Sequence, residues 1–252
     1  MINPLDLTDK RIIVTGASSG IGKATAIHLS KLGASVIMIA RNKDKLQEVL
    51  LNLEGETHSI YSFDLKQIDR IEELVKQIIS EGGAIHGFVH SAGIGSMRPL
   101  AMTKYEYLHD MMLINFYSFV EMIRCLSKKK NSVEGSSFIG VSSVSSLTGN
   151  KTRTAYCATK SAMDGAIRSM AKELEARKIR VNSVVPGWVA TEMYDEYIEE
   201  QGYNQNSQLL MTRQYMGVVD TEGVANAIAY LLSDASRFIT GTGFVVDGGY
   251  LS

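Results

Sequence analysis

The stretch Val14-Thr-Gly-Ala-Ser-Ser-Gly-Ile-Gly22 decides the fold of this 252-residue chain. It follows the apolar run Arg11-Ile-Ile-Val14, which is typical of a buried strand, and it precedes Lys23–Leu32, whose apolar positions recur at helical spacing. The order of strand, glycine turn and helix predicts a phosphate-binding loop, because glycines let the backbone approach a pyrophosphate and a helix N-terminus offers free N–H groups. A glycine-rich turn that binds nothing is the alternative.

Strand-like and helical patterns alternate along the whole chain. Strand-like runs lie at roughly 10–15, 35–40, 57–62, 85–90, 136–141, 179–184 and 243–247. Helical patterns lie at 23–32, 43–53, 67–80, 103–127, 154–177 and 222–232. This alternation predicts an α/β fold in one domain over residues 1–252: a doubly wound, Rossmann-type, seven-stranded parallel sheet with helices on both faces. A tyrosine-rich segment at about 190–217 breaks the rhythm, and we expect it to form a lid over the substrate.

Tyr156 and Lys160 lie four residues apart in Tyr-Cys-Ala-Thr-Lys, and Ser143 lies 13 residues before the tyrosine. On a helix, positions i and i+4 share one face, so we expect the Lys160 ammonium beside the phenol. A phenol with its usual pKa of about 10 is a poor proton shuttle at neutral pH, and a nearby cation would lower that pKa. Ser143 ends an apolar run typical of a strand, which predicts a hydroxyl at the carboxyl edge of the sheet, where open α/β folds bind ligands.

With these motifs in place, the chain resembles the short-chain dehydrogenase/reductase family in its single-domain form, and is similar to 3-oxoacyl-carrier-protein reductases and related carbonyl reductases. The matching pieces are Thr15-Gly-Ala-Ser-Ser-Gly-Ile-Gly22, Asp64, Ala92-Gly93, Asn115, Ser143, Tyr156, Lys160, Pro186-Gly187, Thr191 and Phe244-Val-Val-Asp-Gly-Gly249. One departure is visible: the family usually has Asn-Ala-Gly after the fourth strand, and this chain has Ser91 in place of the asparagine. That asparagine braces neighbouring strands, so we expect the serine to loosen a support and to spare the chemistry.

The resemblance implies a set of catalytic residues. Tyr156 would give a proton to a carbonyl oxygen or take one from an alcohol, and Ser143 would hydrogen-bond the developing alkoxide. Lys160 would lower the tyrosine pKa and hold the nicotinamide ribose. Asn115 lies inside a helical pattern; by resemblance its backbone carbonyl, freed by a local kink, holds a water that relays protons to Lys160. Considered alone, Asn115 would be a solvent-facing polar residue.

The adenosine end of the cofactor is predicted from the second strand. An NAD enzyme usually has an acidic residue at the end of this strand, and here that position is Ala40, followed by Arg41. A guanidinium can grip a 2′-phosphate bidentately, so we predict NADP(H); a solvated arginine at a helix start is the alternative. Asp64 would bind the adenine amino group or cap the next helix, and Thr191 would meet the nicotinamide carboxamide. The cofactor contacts expected by resemblance are Gly16, Ser18, Ser19, Gly20, Ile21, Gly22, Leu65, Ala92, Gly93, Pro186, Gly187 and Val189, besides Tyr156 and Lys160.

Composition narrows the possible partners. The formal net charge of −1 gives no electrostatic reason to expect nucleic acid or a membrane surface as a partner. Two cysteines do not suggest a disulfide framework, and the N-terminus lacks an apolar signal core, so we expect a cytoplasmic protein. The five histidines show no metal-ligand spacing, and no metal is expected in the mechanism.

The leading hypothesis is an NADP(H)-dependent oxidoreductase that interconverts a ketone and a secondary alcohol, with a small-molecule substrate. The alternatives are an NAD-linked alcohol, sterol or sugar dehydrogenase, and a non-catalytic dinucleotide-binding regulatory protein. Acidic residues at the start of the lid, Glu192 and Glu196 among them, would disfavour a strongly anionic substrate from that side. Apolar residues on more than one face of the patterns at 103–127 and 154–177 predict a homo-oligomer, most simply a tetramer.

Overall fold

A parallel sheet forms the centre of the protein in a computed structural model that describes residues 3–201 and 212–252. Its strands are β1 (Arg11–Thr15), β2 (Ser35–Ala40), β3 (Ser59–Ser62), β4 (Ile85–His90), β5 (Ser132–Val141), β6 (Arg180–Pro186) and β7 (Gly243–Val246). They lie in the order β3-β2-β1-β4-β5-β6-β7, and every neighbouring pair is parallel. The strand order reverses between β1 and β4, the switch point at which such folds bind ligands. The predicted fold class is confirmed.

Helices connect the strands and cover both faces of the sheet. They are α1 (Gly20–Lys31), α2 (Lys43–Leu50), α3 (Ile71–Gly82), α4 (Tyr105–Met112), α5 (Ser118–Leu126), α6 (Ser145–Thr148), α7 (Thr154–Glu173), α8 (Glu192–Gln201) and α9 (Thr221–Leu232). Polar caps fix two of the starts. The Asn42 side chain accepts the N–H of Lys45 before α2, and the Asp220 side chain accepts the N–H of Gly223 before α9.

Two apolar layers bury the two faces of the sheet. On β1, Ile12 and Val14 belong to the layer that contains Leu29 of α1 and Ile228 of α9. Ile13 belongs to the opposite layer, together with residues of α3 and α5. All five side chains are at most 1% exposed. Because successive residues of a strand point to opposite faces, burial on both sides fixes the register of the central strands and so the positions of their carboxyl ends.

The helical pattern at 103–127 is not one continuous helix. A π-helical turn, Leu113–Tyr117, separates α4 from α5. Such a turn holds one extra residue and interrupts the regular backbone pairing of the helix. Asn115 lies at its centre and is fully buried, so the interpretation as a solvent-facing residue is wrong and the kink implied by the family resemblance is present.

Part of the predicted lid at about 190–217 is described. Its first half forms α8, and Val189, just before it, pairs with Val219 in a parallel bridge. The middle of the predicted lid, residues 202–211, lies outside the described residues. None of the helices in the described ranges is both long enough and apolar enough to cross a membrane.

Candidate active site

A cleft of about 600 Å³ opens at the carboxyl ends of the strands, beside the switch point between β1 and β4. Most of the site residues predicted from the sequence line it: Gly16, Ser18, Ser19, Gly20, Ile21, Arg41, Asp64, Leu65, Ala92, Gly93, Ser143, Tyr156, Lys160, Pro186, Gly187, Val189 and Thr191. The remaining two, Gly22 and Asn115, are buried behind this lining. The fold therefore gathers the separate sequence motifs in one place.

The glycine turn is packed too closely for larger residues. Gly16 has φ +69°, and a Cβ there would lie 2.7 Å from the backbone nitrogen of Ala92. A Cβ on Gly22 would collide with the carbonyl oxygen of Gly16. The turn thus lets β1, the start of α1 and the loop after β4 meet, while the backbone of 18–21 stays against the cleft. Backbone N–H groups at the N-terminus of a helix suit a pyrophosphate, so the turn fits a dinucleotide.

Ser143 lies two residues past the end of β5 and is 8% exposed. Its Oγ accepts the N–H of Ser145 at 3.1 Å, and its side chain lies close enough to Tyr156 to lower the pKa of that phenol. Ser145 begins the short helix α6, so the hydroxyl is oriented by the turn that follows the strand. The structure therefore places Ser143 beside Tyr156 in the cleft, as their spacing predicts.

The carboxylate of Asp164, on α7, ties the end of β5 to the middle of β6. It accepts hydrogen bonds from Ser142 at 2.9 Å and from Ser183 of β6 at 2.8 Å. Its charge also raises the pKa of Lys160, against the effect of burial. Sequence reasoning missed Asp164. Its place four residues after Lys160 on one helix face was the available signal.

Tyr156 is the residue on which the structure corrects the sequence prediction. Burial raises the pKa of its phenol, and the charge of Arg153 and the hydrogen bond of Ser143 oppose that rise without cancelling it. The guanidinium carbon of Arg153 lies 5.6 Å from the centroid of the Tyr156 ring, and Nζ of Lys160 lies 5.7 Å from it. The prediction that Lys160 lowers the pKa of Tyr156 is wrong for the protein without bound cofactor. Desolvation has the largest effect on this pKa, and the main opposing charge is that of Arg153.

Lys160 is buried, with 5% of its surface exposed. Its ammonium donates to the carbonyl oxygen of Val141, the last residue of β5, at 2.6 Å. Burial lowers its pKa to about 8, against the opposing charge of Asp164. A lysine with this pKa changes its charge close to neutral pH, which suits a group that exchanges protons.

Asn115 uses its side chain to clamp the loop that follows β4. Its Oδ1 accepts the N–H of Ile94 at 2.9 Å, and its Nδ2 donates to the carbonyl oxygen of Ile94 at 2.9 Å and to Oγ1 of Thr159 at 3.1 Å. A Cβ on Gly93 would lie 3.4 Å from Oδ1 of Asn115 and 3.6 Å from Nζ of Lys160. This side-chain clamp was not predicted, because it depends on contacts between segments distant in sequence.

The adenosine end of the cleft carries two exposed cations. Arg41 follows the end of β2 at Ala40, and Lys45 is the third residue of α2; both line the cleft. Lys45 was missed, although it is spaced four residues from Arg41. Asp64 also lines the cleft, and its Oδ1 accepts the N–H of Lys66 at 3.0 Å, so part of this carboxylate already serves the local turn.

Aromatic side chains form the substrate end. The rings of Trp188 and Tyr194 pack edge to face with centroids 6.1 Å apart, and the guanidinium of Arg153 lies 5.2 Å from the Trp188 centroid. Glu192 and Glu196 also line the cleft, on the side that the sequence assigns to the lid. Trp188 was not named as a site residue; its place within Pro-Gly-Trp-Val was the signal.

Fold and site together define a doubly wound dinucleotide-binding protein with serine, tyrosine and lysine side chains grouped at the cleft. Residues 16–251 match the family described as Enoyl-(Acyl carrier protein) reductase. L-xylulose reductase from Caenorhabditis elegans is 31% identical over 247 residues, which cover 97% of each protein. The 3-oxoacyl-(acyl-carrier-protein) reductase from Haemophilus influenzae is 34% identical over 244 residues, covering 96% of this chain and 99% of that protein.

The fold matches that of solved structures over nearly the full length. A blue fluorescent protein from a metagenomic library, in complex with NADPH, superposes with a TM-score of 0.88 at 26% identity, covering 98% of this chain and 100% of that chain. The chain belongs to the short-chain dehydrogenase/reductase family. It is an oxidoreductase of carbonyl and alcohol groups.

Proposed function

We propose that this protein is an NADP(H)-dependent oxidoreductase that interconverts a ketone and a secondary alcohol, with Tyr156 as general acid and base. The observation that carries the proposal is the grouping of Ser143, Tyr156 and Lys160 in the same cleft as the glycine turn. The names of two relatives, an L-xylulose reductase and a 3-oxoacyl-(acyl-carrier-protein) reductase, support a ketone as the substrate.

The chain's own residues divide the work. NADP(H), when bound along the glycine turn, Asp64, Leu65 and Thr191, supplies or accepts the hydride. The Tyr156 phenol donates its proton to the carbonyl oxygen during reduction, and the phenolate takes it back during oxidation. Ser143 donates a hydrogen bond to the oxygen on which negative charge develops. Because burial holds the Tyr156 pKa high, the residue is protonated at neutral pH, which favours reduction.

Proton supply to Tyr156 is assigned to Lys160 and Asn115. The Lys160 ammonium, with a pKa of about 8, is near balance between its charged and neutral forms and can return a proton to the phenolate. Asn115 stands in a π-helical turn whose interrupted pairing frees a backbone carbonyl to hold a relay water. Its side chain meanwhile keeps the loop at Ile94 in place.

The proposed preference for NADP(H) over NAD(H) depends on the charges around the expected position of the 2′-phosphate. Arg41 and Lys45 both line the adenosine end, and β2 ends in Ala40 where a carboxylate would repel a phosphate. The similar structure that contains NADPH supports the same assignment. Asp64 remains available to the adenine amino group through the carboxylate oxygen that does not hold Lys66.

The test is oxidation of NADPH and NADH by the purified protein with a panel of ketones. The panel should contain a 3-oxoacyl thioester, a ketose, and neutral ketones matched with carboxylated analogues. We expect ketone-dependent oxidation of NADPH, slower with NADH, and slower with the carboxylated analogues because Glu192 and Glu196 line the cleft. No oxidation with any ketone, together with normal binding of NADPH, would favour the non-catalytic alternative. A preference for NADH would favour the NAD-linked one.

We also propose a homotetramer and a lid around α8. Several large apolar side chains are exposed: Leu100 and Tyr105 are 71% and 72% exposed, and Phe238 and Met216 are 88% and 81% exposed. We propose that they belong to two surfaces that bind other copies of this chain. Two self-complementary surfaces would generate a tetramer. Light scattering in dilute buffer is expected to give four times the 27.6 kDa of one chain. A monomer at micromolar concentration would contradict this assembly.

A further inference from the structure

His90, the last residue of β4, is fully buried and plays no part in the mechanism above. Its Nδ1 lies 3.1 Å from Oγ1 of Thr15, the last residue of β1. Its Nε2 lies 3.2 Å from the carbonyl oxygen of Ile114, in the π-helical turn. Ser118 donates to the same carbonyl at 2.6 Å. One ring therefore joins the strand that leads into the glycine turn to the helical turn that carries Asn115.

The partners determine which ring nitrogen carries the proton. A carbonyl oxygen only accepts, so Nε2 must be the donor to Ile114. In a neutral ring Nδ1 is then the acceptor. The Thr15 hydroxyl donates to Nδ1 at 3.1 Å, a shorter contact than the 3.5 Å to its other possible acceptor, the Val89 carbonyl, and it accepts the N–H of Ala92 at 3.4 Å. A second proton on the ring is opposed first by burial and then by the charge of Lys160.

We propose that His90 is a positioning residue, a neutral imidazole with its proton on Nε2, which holds the π-helical turn of Asn115 and the end of β1 in register with each other. It acts through Ile114 on the Asn115 carbonyl and through Thr15 on the glycine turn. The family usually has a supporting asparagine at the position of Ser91. In this chain, His90 supplies a support one residue earlier. The inference deepens the proposed function and depends on it for its kinetic consequences.

The two hydrogen bonds of His90, here called the Thr15 arm and the Ile114 arm, can be removed separately by substitution. In His90→Asn, the side-chain amide places an acceptor near the position of Nδ1 and keeps the Thr15 arm, but it is too short to reach Ile114. In His90→Gln, the amide N–H reaches toward the position of Nε2 and keeps the Ile114 arm. His90→Phe keeps the ring between Phe88 and Phe119, whose centroids lie 6.0 and 5.6 Å away, and removes both arms.

We expect one variant to change kcat and the other to change the affinity for NADPH. His90→Asn should lower kcat roughly tenfold, because the Ile114 carbonyl keeps only Ser118 as a partner and the turn that carries Asn115 is no longer tied to β4, with the dissociation constant of NADPH nearly unchanged. His90→Gln should weaken NADPH binding several-fold and leave kcat nearly unchanged. His86→Asn is the matched control, because His86 lies on the same strand but bonds the N–H of Arg11 at the far end, and it should change neither quantity. Equal changes in both quantities for Asn and Gln would overturn the proposal.

The tautomer gives a readout that does not depend on activity. Nitrogen-15 spectra of the ring should show His90 neutral, protonated on Nε2, and unchanged between pH 5.5 and 8. A proton on Nδ1, or titration within this range, would overturn the proposal even if the enzyme is active. If no ketone is reduced, the proposed function fails, while the spectra and the NADPH affinities of the variants still decide the role of His90. If His90→Phe does not fold, the Asn and Gln variants and the spectra carry the test.

Discussion

The two ends of the cleft are built in different ways. At the catalytic end, Lys160 is 5% exposed, Asn115 is fully buried, and each bonds to the backbone of a neighbouring element. At the adenosine end, Arg41 and Lys45 are exposed side chains on the rim. Desolvation sets the pKa of a buried group, whereas an exposed charge acts through a field that salt screens. We therefore expect substitutions at the catalytic end to change chemistry by orders of magnitude, and those at the adenosine end to change cofactor choice.

Tyr156→Phe is the largest expected effect at the catalytic end. It removes the proton donor and keeps the ring, so kcat should fall by about 10²–10⁴ while the dissociation constant of NADPH stays nearly the same. Tyr230→Phe is the control, since Tyr230 packs on Phe244 away from the cleft. Steady-state rates and fluorescence titration of NADPH measure the two quantities. Activity of Tyr156→Phe within tenfold of wild type would remove Tyr156 from the mechanism.

Lys160→Met should lower kcat by roughly 10² and also weaken NADPH binding, because the proposed role of Lys160 is both proton supply and contact with the ribose. Lys172→Met, in the last turn of the same helix, should change neither. Unchanged affinity for NADPH would show that the ribose contact is wrong.

The same variant has a pH signature in stability. The folded pKa of Lys160 is about 8, below the ordinary 10.5, so between these values the unfolded chain holds a proton that the folded chain has lost. The free energy of unfolding should therefore gain about 3 kcal/mol from this group as pH rises through that window. Lys160→Met should lack this rise. Denaturant unfolding of the wild type and of Lys160→Met at pH 7.5 and pH 10 measures this difference. An equal change in the free energy of unfolding between the two pH values in both proteins would contradict the lowered pKa of Lys160.

The difference between the two ends also decides what the sequence could predict. Spacing within one strand, turn or helix placed Ser143, Tyr156, Lys160 and the glycine turn in one cleft, because each of these features is local and the topology does the rest. The direction in which the pKa of Tyr156 is shifted could not be predicted in the same way. It depends on how far the ring is buried and on Arg153, neither of which follows from the spacing to Lys160.

The side-chain contacts that hold the site together were also missed. Asp164 joins the end of β5 to the middle of β6, and the Asn115 side chain clamps the loop at Ile94. His90 spans from β1 to the π-helical turn. Each of these residues bonds to segments that are distant in sequence, and periodicity and motif spacing do not predict such contacts. The extent of the π-helical turn was hidden for the same reason, although the resemblance implied a kink there.

Arg41→Asp tests the exposed end. Losing a charge-assisted contact to a 2′-phosphate costs about 1.5–3 kcal/mol, so the ratio of kcat/KM for NADPH to that for NADH should fall by about 10–10². Repulsion by the new carboxylate adds to this effect. The free energy of unfolding should hardly change, in contrast to variants of the buried end. Lys43→Asp, an equal change of charge at a residue that does not line the cleft, should alter the ratio far less. An unchanged ratio in Arg41→Asp would assign cofactor preference to other residues.

Arg153→Gln is the smallest expected effect, and it tests what a half-buried charge contributes at the catalytic end. The guanidinium lies 5.6 Å from the Tyr156 centroid and lowers the phenol pKa against burial. Without that charge the pKa rises further, so less phenolate is present at any given pH. Alcohol oxidation, which needs the phenolate as base, should slow by about two- to fivefold at neutral pH, the size of a single cation–aromatic interaction. The rising limb of its pH profile should move to higher pH, while ketone reduction, which needs the phenol, should stay nearly constant. Arg98→Gln, whose guanidinium stacks on Tyr107 at 4.0 Å, is the matched control. Equal slowing in both directions would mean that Arg153 binds substrate rather than tuning the phenol.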